Sequence, residues 1–304
     1  QKLRWLTSRS FGDGLSLDAS VVMGPEKKFF ESDGSSEAYE KEMRIATRLE
    51  LRQEATPDRT LGWTLGTDPN FNRSSFLYDI ARPPERTVST ARTAPRESGA
   101  NNIWQPSAYG ELSLRAGQFM FLPGIRTDAQ VTGSATVFSI DPRARVLWEV
   151  SDTTTLKGGA GRHSQAPTAR QLSPSSDGNP DLSAELSYQY SIGIKQVVTE
   201  WLDVDLTGFY HHLTDLISGR EDRFFFYSGP PPAGPFDTAP YANDGTGRTF
   251  GVEFLANVNT DTTTGFFSAT LGRSDRVKRP GGERVLFEYD QPLILNALVS
   301  QKLP

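Results

Sequence analysis

The chain has 304 residues, no cysteine, a formal net charge of −5, 36% hydrophobic residues and a mean hydropathy of −0.46. The lack of cysteine excludes disulfides, thiolate metal sites and cysteine nucleophiles, and interspersed charges without a basic patch argue against nucleic-acid binding. No stretch approaches the ~20 apolar residues of a membrane helix, whereas a transmembrane barrel strand needs only ~10 alternating residues.

The first third of the chain alternates between apolar and polar residues, which is the pattern of strands with one apolar face. Residues 15–21, 43–51 and 61–65 show it. The polar segment 24–40 is predicted to be a loop, because it is rich in glycine, serine and charge. The longest connection, residues 67–102, is predicted to be a loop within one domain, because the same alternation resumes after it.

Alternating runs continue to the end of the chain. The clearest is 185–195, where even-numbered residues are apolar and odd-numbered ones are small, polar or charged. Residues 202–206 and 250–258 repeat the pattern. The runs predict about 13 strands, joined by turns of roughly 2–7 residues at one end and by longer connections, roughly 6–35 residues, at the other. This asymmetry is typical of outer-membrane barrels.

Two other all-β folds are alternatives to the barrel. A soluble sandwich would turn the same apolar faces into a shared core, and alternation alone does not separate it from a barrel. Strand length and the asymmetry of the connections favour the barrel. A β-propeller would show four-stranded repeats of ~40–50 residues, and the sequence has none.

A series of short motifs follows a fixed order over about residues 120–303. The motifs are Leu122-Pro123-Gly124-Ile125-Arg126 with Asp128, Asp141-Pro142-Arg143, Leu156-Lys157 to Gly161-Arg162, Gly178-Asn179-Pro180-Asp181-Leu182 with Glu185, Phe209-Tyr210 with Asp215-Leu216-Ile217, Asn243 with Gly247 and Gly251-Val252-Glu253, and Gln291-Pro292 with Leu295-Asn296. The series resembles the β-barrel part of TonB-dependent receptors, the outer-membrane transporters of Gram-negative bacteria. Residues 1–118 resemble this family only in their strand pattern.

The resemblance implies an all-β fold, an antiparallel up-and-down transmembrane β-barrel. This chain would hold about 13 strands of a larger barrel of about 22. The family has an N-terminal plug domain, a short motif that engages the inner-membrane energiser, and a last strand with a terminal aromatic residue; the sequence shows none of these. Residues 1–304 are therefore interpreted as a barrel fragment without a plug domain and without the final strands.

The resemblance also implies a function. The expected activity is import of a scarce nutrient, such as siderophore-bound iron or a vitamin, across the outer membrane of a Gram-negative bacterium. No enzymatic activity, cofactor or metal is expected. The partners would be outer-membrane lipid, a small-molecule ligand and the TonB complex, acting through the missing plug domain. Two alternatives stay open: a non-transporting outer-membrane barrel for binding or adhesion, and a soluble all-β enzyme.

Two groups of residues are candidates for function. Six charged residues on the polar sides of strands are predicted to face the lumen: Arg145, Lys157, Glu185, Asp203, Asp205 and Glu253. A loop with four consecutive aromatic residues, which are costly to expose, supplies the candidates for ligand binding: Arg220, Arg223, Phe224, Phe225, Phe226 and Tyr227. Alternatively, these aromatic residues pack on neighbouring loops or continue the strands as a hairpin.

The histidines and one glycine-rich segment are given no catalytic role. Adjacent histidines on a strand, such as His211 and His212, point to opposite faces and do not readily bind one metal. His163 is likewise expected to be a polar residue at the extracellular rim. The glycines of 245–251 lead into a strand rather than a helix, so they do not form a phosphate loop.

Overall fold

The computed structural model describes residues 2–32, 36–56, 60–79, 97–169, 171–174, 178–219 and 241–302. These residues form one sheet of sixteen strands, all paired antiparallel. Among them, no helix is long and apolar enough to cross a membrane. The strands are β1 (Leu3–Gly12), β2 (Leu15–Ser32), β3 (Ser36–Gln53), β4 (Leu61–Thr67), β5 (Asn70–Asp79), β6 (Glu97–Gln105), β7 (Ser107–Ala116), β8 (Phe119–Val131), β9 (Thr136–Glu149), β10 (Thr154–Gln165), β11 (Glu185–Thr199), β12 (Leu202–Gly219), β13 (Tyr241–Asn259), β14 (Thr263–Val277), β15 (Val285–Leu286) and β16 (Leu293–Gln301).

A pass is one traverse of the chain from one end of the sheet to the other. In three places a pass is divided into two consecutive strands, so the sixteen strands form thirteen passes. β4 and β5 both pair with β3, β6 and β7 with β8, and β15 and β16 with β14. Each break contains a proline, which has no N–H to donate to a ladder. The proline carbonyls still accept hydrogen bonds from the neighbouring strand, at 3.1 Å from Thr47 N to Pro69 O, 3.0 Å from Ala129 N to Pro106 O and 3.1 Å from Gly272 N to Pro292 O.

The sheet is an up-and-down meander, because each pass lies beside the passes that precede and follow it in the chain. Its outermost passes are β1, which pairs with β2, and β15–β16, which pairs with β14. The predicted antiparallel, up-and-down architecture of about thirteen strands is confirmed. A β-sandwich needs a second sheet against the first, and the described part of the chain forms one sheet.

The predicted loop over residues 24–40 is wrong. Most of it is a hairpin, in which β2 and β3 stay in register from Gly24 opposite Arg44 to Ser32 opposite Ser36. The predicted connection 67–102 is also too long, because β5 and β6 pair from Asn70 opposite Gln105 to Tyr78 opposite Glu97. Backbone hydrogen bonds hold these extensions, and such bonds need no apolar face. Alternation of apolar and polar residues therefore shows which part of a strand has an apolar face, and it does not show where backbone pairing between strands ends.

The two faces of the sheet differ in polarity. Side chains of directly paired residues share a face, and the apolar face carries no charged residue over residues 202–210 of β12 and 250–258 of β13. Residues 250–258 extend about 27 Å along the strand, close to the ~25 Å apolar band of outer-membrane barrels. Ile192, in the middle of this band on β11, is 75% exposed because Gly158 and Gly208 flank it.

Candidate functional site

All six predicted charged residues lie on the polar face of the sheet. Lys157 occupies one row with Gly193, Thr207 and Glu253, and Asp205 and Asp203 follow on β12. Arg145 is opposite Gly159, and Glu185 is opposite Gln165. These positions agree with the alternation from which the residues were chosen. That the face lines a lumen stays a prediction.

Lys157 and Asp205 form the shortest ion pair among the six, with 2.6 Å from Nζ to Oδ2. The lysine side chain reaches β12 across Gly193 of the intervening strand. A Cβ at Gly193 would lie 2.8 Å from the Cε of Lys157 and 2.6 Å from the Oγ1 of Thr207. Glycine is therefore needed at this position for the pair to form across two ladders.

The other predicted charges have separate partners. Asp203 accepts a hydrogen bond from Asn257 at 3.0 Å and lies 3.7 Å from the Nζ of Lys195. A 3.3 Å contact joins Arg145 to Glu111, and Glu185 accepts a 2.7 Å hydrogen bond from the backbone N–H of Ile217. The structure therefore does not gather the six residues into one site, but distributes them along the polar face.

A cluster around Glu50 was missed by the sequence analysis. Glu50 is only 4% exposed, although it lies on the polar face. It accepts hydrogen bonds from Arg48 at 2.6 Å, Arg52 at 2.7 Å and the Tyr109 hydroxyl at 2.7 Å. The ring of Tyr109 lies over Gly66, where a Cβ would overlap it. The alternating charges of residues 48–52 were a sequence signal, but the tyrosine comes from a strand about sixty residues later.

A second polar cluster lies where two passes are broken by proline. Arg126 donates hydrogen bonds to Asp68 and Asp128, each at 2.7 Å. Ser107 donates to the same Asp68 carboxylate. Asp68 precedes Pro69, and Ser107 follows Pro106. Side-chain hydrogen bonds therefore join the neighbouring passes where the backbone ladder is interrupted.

A cavity of about 660 Å³ lies at the end of the sheet that carries the long connections. Its lining mixes charged residues with apolar ones, including Glu185, Arg276, Leu213 and Phe287. The Arg276 guanidinium lies 4.5 Å from the centre of the Phe287 ring. Apolar walls with a few placed polar groups are typical of small-molecule sites, so this cavity is the candidate binding site.

The predicted ligand-binding residues of the aromatic loop lie outside the described residues. They are Arg220, Arg223, Phe224, Phe225, Phe226 and Tyr227. The segment 220–240 leaves β12 after Gly219 and joins β13 at Tyr241, and these two residues are directly paired. Ser218, next to this pair, lines the cavity. The strand ends on either side of the segment therefore lie at the rim of the candidate site.

In the part of the chain that the structure describes, no three His, Asp or Glu side chains are grouped so that they could hold a metal ion. His163 and His211 belong to the polar face, since they pair with Ser187 and Thr249. His212 lies on the opposite face, at 6.5 Å from the ring of Tyr188. The expected opposite orientation of His211 and His212 is confirmed.

Three of the sequence motifs meet beside the cavity. The Asn243 side chain donates to the backbone oxygens of Asp215 at 2.8 Å and Ser183 at 3.1 Å, and accepts from Ser183 N at 2.9 Å. Asp215 has a positive φ of 56°, at a break in the register between β12 and β13. Asn179 donates to the Tyr241 carbonyl at 2.9 Å. These bonds hold residues 178–184 against the strand ends.

Residues of the connection between β10 and β11 also contribute to a small hydrophobic core. Leu172 is fully buried, and Leu182, Ala184 and Val137 pack with it. Ser134 donates a hydrogen bond to the Leu172 carbonyl at 3.0 Å, and Gln130 donates to the Pro167 carbonyl at 2.6 Å. The described parts of the connection between β10 and β11 are thus attached to two neighbouring hairpins.

Replacing Asn243 by alanine is expected to loosen the attachment of residues 178–184. The change removes three hydrogen bonds, each of which contributes about 1 kcal/mol or less. The free energy of local opening is therefore expected to fall by about 2 kcal/mol. Hydrogen exchange of the amides of residues 181–183 should then become about thirtyfold faster. Asn257→Ala is the control, since it removes one hydrogen bond at the other end of the sheet. Unchanged exchange in Asn243→Ala would show that the core alone holds the connection.

Comparison with known proteins agrees with this architecture. A protein-family model described as TonB dependent receptor-like, beta-barrel, matches residues 4–289. A search of curated proteins gave no significant match.

Solved structures of outer-membrane transporters have a similar fold. The FrpB iron transporter from Neisseria meningitidis matches with 12% identity and a TM-score of 0.66, over 92% of this chain and 45% of FrpB. The ferric yersiniabactin uptake receptor FyuA from Yersinia pestis matches with 15% identity and a TM-score of 0.64, over 94% of this chain and 44% of FyuA. The outer membrane transporter YddB from Escherichia coli matches with 12% identity and a TM-score of 0.63, over 98% of this chain and 48% of YddB. This chain therefore spans less than half of each solved chain.

Proposed function

The chain belongs to the TonB-dependent receptor β-barrel family, and from this we propose that it forms part of the wall of an outer-membrane transporter that imports a scarce nutrient. The observation that carries the proposal is a single sheet with one apolar, exposed face and one polar, ion-paired face. Such a sheet suits a wall between lipid and water.

In this proposal, further strands complete the wall. A sheet edge cannot face the hydrocarbon core of a membrane, because its unpaired N–H and C=O groups would have no partner there. The outermost passes, β1 and β15–β16, would each gain a neighbour in the closed barrel. A plug domain inside the barrel would contact the polar face, where the charged residues Arg145, Lys157, Asp203 and Asp205 would line the lumen.

The ligand would bind in the 660 Å³ cavity and would contact side chains of residues 220–227. The aromatic residues Phe224–Tyr227 would contact an apolar or aromatic ligand, while Arg220 and Arg223 would pair with its anionic groups. Siderophore-bound iron is a nutrient of this kind, and FyuA takes up ferric yersiniabactin. Energy for release would come from the TonB complex through the plug domain, at the outer membrane of a Gram-negative bacterium.

A fluorescent label in the cavity tests binding and transport together. Ser187 lines the cavity on the polar face, and this chain has no cysteine, so Ser187→Cys gives one labelling site within it. In cells that express the full-length protein, we expect a panel of ferric siderophores and vitamins to contain a compound that quenches the label. Recovery of the signal, as the compound is taken up, should require TonB. A label at Ile192→Cys on the apolar face is the control and should not respond.

The outcomes separate the proposal from its alternatives. Quenching with TonB-dependent recovery supports transport. Quenching without recovery, in cells with active TonB, would indicate a barrel for binding or adhesion. No quenching by any compound of the panel would contradict nutrient binding in this cavity.

A further inference from the structure

Three arginine side chains converge on one buried carboxylate near the loop end of β14. Asp275 has no exposed surface. It lies 2.5 Å from Nη1 of Arg284, 3.1 Å from Nε of Arg248 and 3.8 Å from Nε of Arg273. Three guanidinium groups around one carboxylate leave an excess of two positive charges.

This cluster lies on the apolar face, at the edge of the uncharged band. Toward the loop end of the sheet, the next residue after Phe250 on that face of β13 is Arg248, and the next residue after Leu271 on β14 is Arg273. The row of paired residues Tyr190, Tyr210 and Phe250 ends at Arg273. Tryptophan and tyrosine side chains are enriched where a membrane meets water. The arginines therefore stand where the headgroups of lipids around the barrel would be.

The geometry keeps the arginines charged, oriented and accessible. Asp275 accepts hydrogen bonds from Arg284 at 2.5 Å and from Arg248 at 3.1 Å. These bonds fix the orientation of both guanidinium groups. The side chain of Arg273 is 58% exposed, and those of Arg248 and Arg284 are each 42% exposed. A guanidinium has five N–H donors, so donors remain for an anion that approaches from outside.

We propose that Arg248, Arg273 and Arg284 bind the phosphate group of an anionic lipid in the outer leaflet, with Asp275 as the residue that positions them. Planar guanidinium groups match phosphate oxygens in geometry and charge. The neighbouring apolar surface favours a lipid over free phosphate, because Leu271 is 61% exposed on the same face and would contact an acyl chain. The inference rests on the proposed function, since it needs this face to be in contact with lipid.

The test measures lipid binding to the full-length protein in nanodiscs of zwitterionic lipid. The probe is lipid A with both phosphates, and lipid A without phosphates is the comparison. Arg273→Gln should weaken binding of the phosphorylated probe about fivefold, as expected for loss of one basic residue near a lipid surface. Arg273 is the most distant of the three from Asp275, so the other two pairs keep the carboxylate compensated.

Two further variants define the controls. Arg145→Gln removes an arginine of equal side-chain exposure, 58%, from the polar face and should leave lipid binding unchanged. Arg273→Lys keeps the charge and should bind within about twofold of the unmodified protein. If Arg273→Lys binds as weakly as Arg273→Gln, the group acts through the fold and not through its charge, and the inference fails.

The remaining outcomes distinguish this inference from the proposed function. Equal binding of both forms of lipid A, or equal binding by Arg273→Gln and the unmodified protein, overturns the phosphate site. Competition by equimolar inorganic phosphate would assign the site to free phosphate instead, which also overturns the proposal. A lipid-confined thiol probe at Ile192→Cys reports on membrane placement in the same nanodiscs. If the probe labels Ile192→Cys but lipid A binding shows no phosphate site, only this inference is refuted. If the probe does not label Ile192→Cys, both this inference and the proposed function are refuted.

Discussion

Replacing Ile192 by lysine is expected to destabilise the membrane-inserted protein by about 2–4 kcal/mol, the usual cost of a lysine or arginine on the lipid face near the midplane of a barrel. Ile192 is 75% exposed between Gly158 and Gly208, so a lysine there meets no steric obstacle. In water, such an exposed substitution would change stability by about 0.5 kcal/mol or less. The effect therefore comes from the medium that this face meets, and denaturant unfolding in lipid vesicles measures it.

The neighbouring residue gives a matched control. Ser191 is on the same strand, is also exposed, and lies on the polar face opposite Gly159 and Phe209. Ser191→Lys adds the same side chain one position away and should cost less than about 0.5 kcal/mol. Equal effects of the two substitutions would mean that both faces meet the same medium, and would contradict the membrane placement.

Replacing Glu50 by alanine is expected to lower the free energy of unfolding by about 2–3 kcal/mol. The change leaves the Tyr109 hydroxyl and two guanidinium groups without their shared acceptor. Removal of one member of a fully buried ion pair costs about 3–5 kcal/mol. Here the side chains of Arg48 and Arg52 are 53% and 47% exposed, so solvent screening reduces the loss.

Two companion variants identify the source of the loss. Tyr109→Phe removes only the neutral partner and should cost about 1 kcal/mol. Glu111→Gln, on the same face, removes looser contacts of 3.3 Å and 3.6 Å to Arg145 and Arg143 and should cost less than about 1 kcal/mol. Urea unfolding of the full-length protein in vesicles, followed by tryptophan fluorescence, compares the three. A loss for Glu50→Ala no larger than that for Glu111→Gln would show that burial of Glu50 adds nothing.

Part of the polar face follows from local sequence, and part depends on distant pairing. Residues 48–52 alternate charges within one strand, so their common face could be read from the sequence. Tyr109, by contrast, reaches Glu50 only because β7 pairs with β4, and β4 with β3. The same holds for Lys157 and Asp205, which meet across Gly193 of a third strand. A register shift of one residue would turn either member to the other face.

The sequence by itself determined the strands with one apolar face, their approximate number, the antiparallel meander and the family. The strands, their number and the meander follow from local alternation and from turn residues, because side chains of a strand alternate between two faces whatever the strand pairs with. The family follows instead from the resemblance of the motif series over about residues 120–303. The sequence also placed the six charged residues on one face, although it could not assign their partners.

Only the tertiary structure decided how far the strands extend and which side chains meet. The β2–β3 hairpin continues through the polar segment 24–40, for which the sequence predicts a loop, because a backbone ladder needs no apolar residues. Asn243 joins Ser183 to Asp215, and Asp275 gathers Arg248, Arg273 and Arg284, over separations that no local pattern encodes. The physical reason is that cross-strand contacts depend on register and on the paths of the connections, which are set by the whole sheet at once.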